Sequence, residues 1–190
     1  MKPLRQFIVH IPNKFKDEMK LGDTTIKLVN KFNEFEHRFN YAEIVGAPPK
    51  FKNQIGNTLY FHHHVVVEQR YDIGDNLYLV NYDAAGGYGN HAIAIEDKDA
   101  NITMLGDWCF VLPPGEAKEE TSSSGIILSI KEEPELEGVL LSLPEDSEWI
   151  GAKPGDVVGY RKNSEYEMDL LNGDKVYRMR LTEVVYARED

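Results

Sequence analysis

Ile73-Gly74-Asp75-Asn76-Leu77-Tyr78 reappears in outline as Asn172-Gly173-Asp174-Lys175-Val176-Tyr177, 99 residues further along the chain. Each is a Gly-Asp pair feeding an apolar, aromatic-rich run, the pattern of a tight turn opening a β-strand. Working outward, Ile55-Gly56-Asn57-Thr58-Leu59 lies over Pro154-Gly155-Asp156-Val157-Val158 at the same offset of 99. Ile44-Val45-Gly46-Ala47-Pro48 lies over Leu140-Leu141-Ser142-Leu143-Pro144 at 96, and Thr25-Ile26-Lys27-Leu28 over Gly125-Ile126-Ile127-Leu128 at about 100. The segment from Leu4 through Phe7-Ile8-Val9-His10-Ile11-Pro12 aligns with Leu105 through Trp108-Cys109-Phe110-Val111-Leu112-Pro113 at 101. Five matches in one order point to an internal repeat.

The local signal is β throughout. Phe7 to Ile11, Tyr60 to Glu68, Asn76 to Tyr82, His91 to Ile95, Trp108 to Leu112 and Val176 to Leu181 are rich in β-branched and aromatic residues. Lys14 to Lys31 has helical composition in places, but Gly22-Asp23-Thr24-Thr25 interrupts it. The expected fold is all-β, with two small partly open β-barrels in tandem over residues 1–97 and 101–190. The polar run Glu96-Asp97-Lys98-Asp99-Ala100 reads as the linker between them.

In 190 residues, 21 basic side chains face 32 acidic ones, a formal charge of −11, which argues against binding a nucleic-acid backbone. Cys109 is the sole cysteine, so an intrachain disulfide and a cysteine-rich zinc site are both excluded. The start, Met1-Lys2-Pro3-Leu4-Arg5, reads as neither a signal peptide nor a membrane span, and a cytoplasmic protein is expected.

Few residues suggest chemistry. On a strand, His62 and His64 would point to one face and His63 to the other, so the trio by itself offers two imidazoles and no metal site is expected. The glycine-rich Ala85-Gly86-Gly87-Tyr88-Gly89 lacks the helix and Lys-Ser/Thr of a phosphate cradle. Trp108 and Trp149 read as core or edge packing. No carboxylate pair can be assigned to acid–base work, so neither catalysis nor a cofactor is expected.

The most informative stretch is Pro113-Pro114-Gly115-Glu116-Ala117-Lys118-Glu119-Glu120-Thr121-Ser122-Ser123-Ser124, which runs into Gly125-Ile126-Ile127-Leu128. Acidic and serine-rich chain buries too little apolar area to offset its ordering entropy. The three aliphatics behind it read either as an apolar tip presented to a partner groove or as the start of the next strand.

Taken together, the second half resembles the GroES-type co-chaperonins. The resemblance rests on Leu105 to Leu112, Ser124-Gly125-Ile126-Ile127-Leu128, Glu137-Gly138-Val139-Leu140-Leu141, Lys153-Pro154-Gly155-Asp156-Val157-Val158, and Tyr166 through Val184-Val185-Tyr186-Ala187, in that order. The first half follows the same order from Lys2-Pro3-Leu4 to His91-Ala92-Ile93-Ala94-Ile95, so the whole resembles the tandem co-chaperonins of chloroplasts in layout. The resemblance implies a lid that closes the folding chamber of a GroEL-type chaperonin in its ATP- or ADP-bound state. Its subunits would form a homo-oligomer or a mixed ring, with Gly125, Ile126, Ile127 and Leu128 as the docking tip.

The chain departs from the pattern in three places. Thr25, Ile26, Lys27 and Leu28 would form the corresponding tip of the first half, where Lys27 replaces an aliphatic and no glycine precedes Ile26. Segments 47–56 and 143–155, where the family carries a roof hairpin, look shortened, and Ala84 to Asn90 is an added loop. The competing expectation is a GroES-like interaction or structural module that no longer binds a chaperonin.

Overall fold

A computed structural model of the chain describes residues 3, 5–12, 18–21, 24–27, 39–83, 89–114 and 136–188. It is all-β, with two separate antiparallel sheets in two units that divide between Gly106 and Asp107.

In the first unit the strands are β1 (Gln6–His10), β2 (Glu18–Leu21), β3 (Thr24–Lys27), β4 (Tyr41–Gly46), β5 (Thr58–Phe61), β6 (Asp72–Gly74), β7 (Leu77–Asn81), β8 (Ala92–Glu96) and β9 (Ile102–Met104). In the second they are β10 (Trp108–Leu112), β11 (Glu137–Ser142), β12 (Val157–Tyr160), β13 (Tyr166–Asp169), β14 (Lys175–Arg180) and β15 (Val184–Arg188). The first main sheet runs β6-β7-β1-β4-β5-β8-β9, and the second β13-β14-β10-β11-β12-β15. Apart from the added β9, the two orders are the same.

The repeat extends to the register. Ile8 faces Gly46 and Val9 faces Ile44, with a bulge between Ile8 and Val9; Phe110 faces Ser142 and Val111 faces Leu140, with a bulge between Phe110 and Val111. A second bulge, between Tyr60 and Phe61, recurs between Gly159 and Tyr160. Backbone bonds in the turn before the third core strand also recur. Ile44 N–H donates to Asn57 O (2.9 Å) and Gly56 N–H to Ile44 O (2.8 Å), as Leu140 N–H does to Asp156 O (2.8 Å) and Gly155 N–H to Leu140 O (2.8 Å). Gly56 (φ 89°) and Gly155 (φ 99°) adopt the left-handed conformation at that corner, which a Cβ would strain.

Two expectations need correcting. Strands β1 and β10 superpose at an offset of 102, since Ile8 and Phe110 occupy the same bulge position. The sequence alignment at 101 is one residue out of phase, and with a side-chain period of two it would put every residue on the wrong face. At the structural offset Phe7, Val9 and Ile11 face one core as Cys109 and Val111 face the other. The expected linker at Glu96–Ala100 is instead a hairpin corner between β8 and β9 (Ile95 pairs with Thr103), held by the Asp97 carboxylate accepting the N–H groups of Asp99 and Asn101 (both 2.9 Å).

Each unit has its own core. Phe7, Val9, Ile44, Leu59, Phe61, Val65, Val80 and Ile95 anchor the first, and Cys109, Val111, Leu140, Val158, Met179 and Leu181 the second. Fully burying one such large side chain contributes about 1.5–3 kcal/mol. Trp108 is buried with the guanidinium of Arg180 3.7 Å above its ring, whereas Trp149 is 68% exposed and is neither core nor edge packing. Trp149 lies in the short 3-10 turn Glu148–Ile150 between β11 and β12, and Pro49–Gln54 forms the matching turn between β4 and β5. Both segments expected to be short therefore carry 3-10 turns instead of strands.

Cys109 is fully buried, and its thiol donates to Met179 O at 3.6 Å. Burial first, and the Asp107 carboxylate second, push the thiol up from its usual 9.0 to about 12. Between those values the unfolded chain ionises and the folded one does not, so folding stability must fall as pH rises from 9 to 12. Native Cys109 is expected to resist thiol reagents until denaturant is added, and Cys109→Ala should flatten the alkaline fall in urea-melt stability.

Candidate functional site

The long connections leave both sheets at equivalent strand ends. In the second unit, residues 113–136 join β10 to β11, two neighbouring strands near the middle of the sheet, and the expected tip belongs to that connection in sequence. Gly125, Ile126, Ile127 and Leu128 lie outside the described residues, as does most of that connection.

The feet of the connection are described, and they are tightly built. Leu112 faces Val139 across the ladder, and Tyr160 N–H donates to Leu136 O at 2.9 Å. Glu137, the first residue of β11, is tied to the last strand: its carboxylate accepts the Tyr186 hydroxyl and pairs with Arg188 at 2.9 Å. Gly138 has no room for a side chain. A Cβ there would sit 2.6 Å from Val111 Cγ1 and closer still to the Leu112 carbonyl oxygen. The Tyr186 ring packs against Gly159 on the next strand, where a Cβ would overlap it.

In the first unit, residues 11–40 join β1 to β4 and contain the two-stranded sheet β2–β3. Met19 faces Ile26, Lys20 faces Thr25 and Glu18 faces Lys27, so Thr25, Ile26 and Lys27 are strand residues within a hairpin. Leu28 lies outside the described residues. The interrupted helical composition at Lys14–Lys31 therefore gives a hairpin where it is described. The feet match those of the second unit: His10 faces Glu43, and Phe61 N–H donates to Asn40 O at 2.8 Å.

The histidines depart from expectation. β5 ends at Phe61, and His64–Val67 forms a single helical turn, α1. His62, His63 and His64 therefore do not alternate across a strand, and all three imidazoles gather on one turn, with a nitrogen of each within 4.8 Å of the others. The cause is tertiary. A strand through Val65-Val66-Val67 would bury every second valine, whereas the turn sends the adjacent Val65 and Val66 into the core and leaves Val67 outside.

No protein-family model matches the chain, and no curated protein is similar to it at a significant level. Among the described residues, no helix is long and apolar enough to cross a membrane. Function must be argued from the repeated fold and its connections.

Proposed function

We propose that the chain is a tandem co-chaperonin of the GroES type, a non-catalytic lid that caps a nucleotide-bound chaperonin ring and assists folding in the cytoplasm. One observation carries most weight. Two sheets of the same strand order each release a long connection between equivalent neighbouring strands, and one connection bears an acidic, serine-rich tether ending in Gly125-Ile126-Ile127-Leu128. Docking a segment of that composition carries an ordering cost, which keeps a single contact reversible, and multiple copies in an assembled lid supply avidity.

Capture by an immobilised GroEL-type chaperonin tests this reading. The chain should be retained with ATP or ADP and released without nucleotide; equal retention, or none, in both conditions would overturn it.

The second reading, an interaction module without a chaperonin, is favoured by the first unit. There Ile26 and Lys27 belong to a paired hairpin, and an ammonium is costly to bury in an apolar groove. The 3-10 turns at Pro49–Gln54 and Glu148–Ile150 also leave less chain to roof a dome than a hairpin would. Light scattering separates the readings, because a lid assembles and a stand-alone module stays monomeric with chaperonin and nucleotide present.

A further inference from the structure

The sharpest chemical feature among the described residues is one the repeat does not require. Residues 62–71 connect β5 to β6, whereas residues 161–165 suffice to connect β12 to β13. Both connections start alike: His62 N–H donates to His91 O (2.9 Å), and Arg161 N–H donates to Glu183 O (3.0 Å). The second unit then closes through Lys162-Asn163-Ser164-Glu165, while the first makes a longer excursion that opens on three histidines.

That excursion is rigidly mounted. Val65 N–H donates to His62 O (3.1 Å), Val66 N–H to His63 O (3.0 Å) and Glu68 N–H to His64 O (2.9 Å). Val65 and Val66 are buried in the core directly beneath the turn. The imidazole centroids are 4.7 Å apart for His62 and His63, 4.2 Å for His62 and His64, and 4.5 Å for His63 and His64. Burial is graded, with His63 nearly enclosed, His62 intermediate and His64 exposed, so the group is open to solvent from one side.

We propose that His62, His63 and His64 form a binding site for a borderline divalent transition cation, with Zn²⁺ as the representative ion. Three imidazole nitrogens and a solvent-facing fourth position match the preference of Zn²⁺ for nitrogen donors in a tetrahedron. Zn–N bonds of about 2.0–2.1 Å place tetrahedral ligand nitrogens roughly 3.4 Å apart. Binding therefore draws nitrogens that now lie within 4.8 Å of one another closer together. The Nδ1 of His62 accepts the His64 N–H at 3.3 Å, a long contact that the cation would displace or avoid by taking Nε2. Bound metal would clamp the start of α1 to the end of β5, stabilising the first unit. The proposal is independent of chaperonin binding.

The test uses the untagged full chain, with zinc chloride in calorimetry and cobalt chloride in visible absorption. The expected result is about one Zn²⁺ per chain, an intense Co²⁺ d–d band of low coordination number, and a Zn²⁺-dependent rise in melting temperature. Affinity should weaken as pH falls, because protons compete for the imidazoles. His64→Ala, at the exposed position, should keep the metal-free melting temperature and lose at least ~10-fold in affinity, with the same loss in His62→Ala. Zinc binding unchanged in both variants, or no binding by the parent chain, overturns the proposal.

Discussion

Ile127→Asp is expected to abolish capture by a nucleotide-loaded chaperonin while leaving the far-UV spectrum and melting temperature of the chain unchanged. Removing a buried isoleucine contact forfeits about 1.5–3 kcal/mol, and placing a carboxylate in an apolar groove costs several more. At about 1.4 kcal/mol per tenfold, a single loop loses at least 100-fold in affinity. A lid held by many such loops loses more, because avidity multiplies the defect. Sequence supports the intact fold: the substitution falls in an acidic, serine-rich connection. Normal suppression of the chaperonin's ATPase by this variant would remove Ile127 from the proposed contact.

Gly138→Val should have the largest effect on stability, unfolding the second unit by about 3 kcal/mol or more. The obstruction is partly backbone: a Cβ at 138 meets the Leu112 carbonyl oxygen, which cannot rotate away as the Val111 side chain can. The two atoms belong to the strands from which the connection departs, so the variant disturbs the mount as well as the sheet. Chaperonin capture should fall in step with the unfolded fraction measured by urea melts. A Gly138→Val chain with parental stability would show that this close approach relaxes at little cost.

The repeat was legible where backbone geometry restricts the residue. Gly56 and Gly155 hold left-handed corners, and the offset of 99 read from them matches the structural register of β5 on β12. Phase was lost where both faces of a strand are buried. Phe7, Ile8 and Val9 are all inside, as are Trp108, Cys109, Phe110 and Val111, so no alternation marks which residues face the core. Composition there is compatible with either phase, one residue apart. The valines after the histidines misled in the opposite sense: their β-branching favours a strand, and burial of adjacent Val65 and Val66 prevailed. Polar Glu96–Ala100 looked like a linker because a capped corner and a domain join share a composition, and only the pairing of β8 with β9 tells them apart. Of the candidate tip residues, Thr25, Ile26 and Lys27 fall in β3, a hairpin that interrupted helical composition could not reveal.

The recurring bulges carry a consequence for how the short connections after β4 and β11 are aimed. A bulge shifts the parity of one strand against its neighbour, so the side from which the chain leaves its sheet is a matter of odd or even count. The extra residues, Val45 in β4 and Leu141 in β11, lie just before those strands end and set that parity alike in both. The connections that carry Pro49–Gln54 and Glu148–Ile150 can therefore differ in composition without changing the direction in which they set out, because arithmetic in the strand chooses that direction before the turn begins.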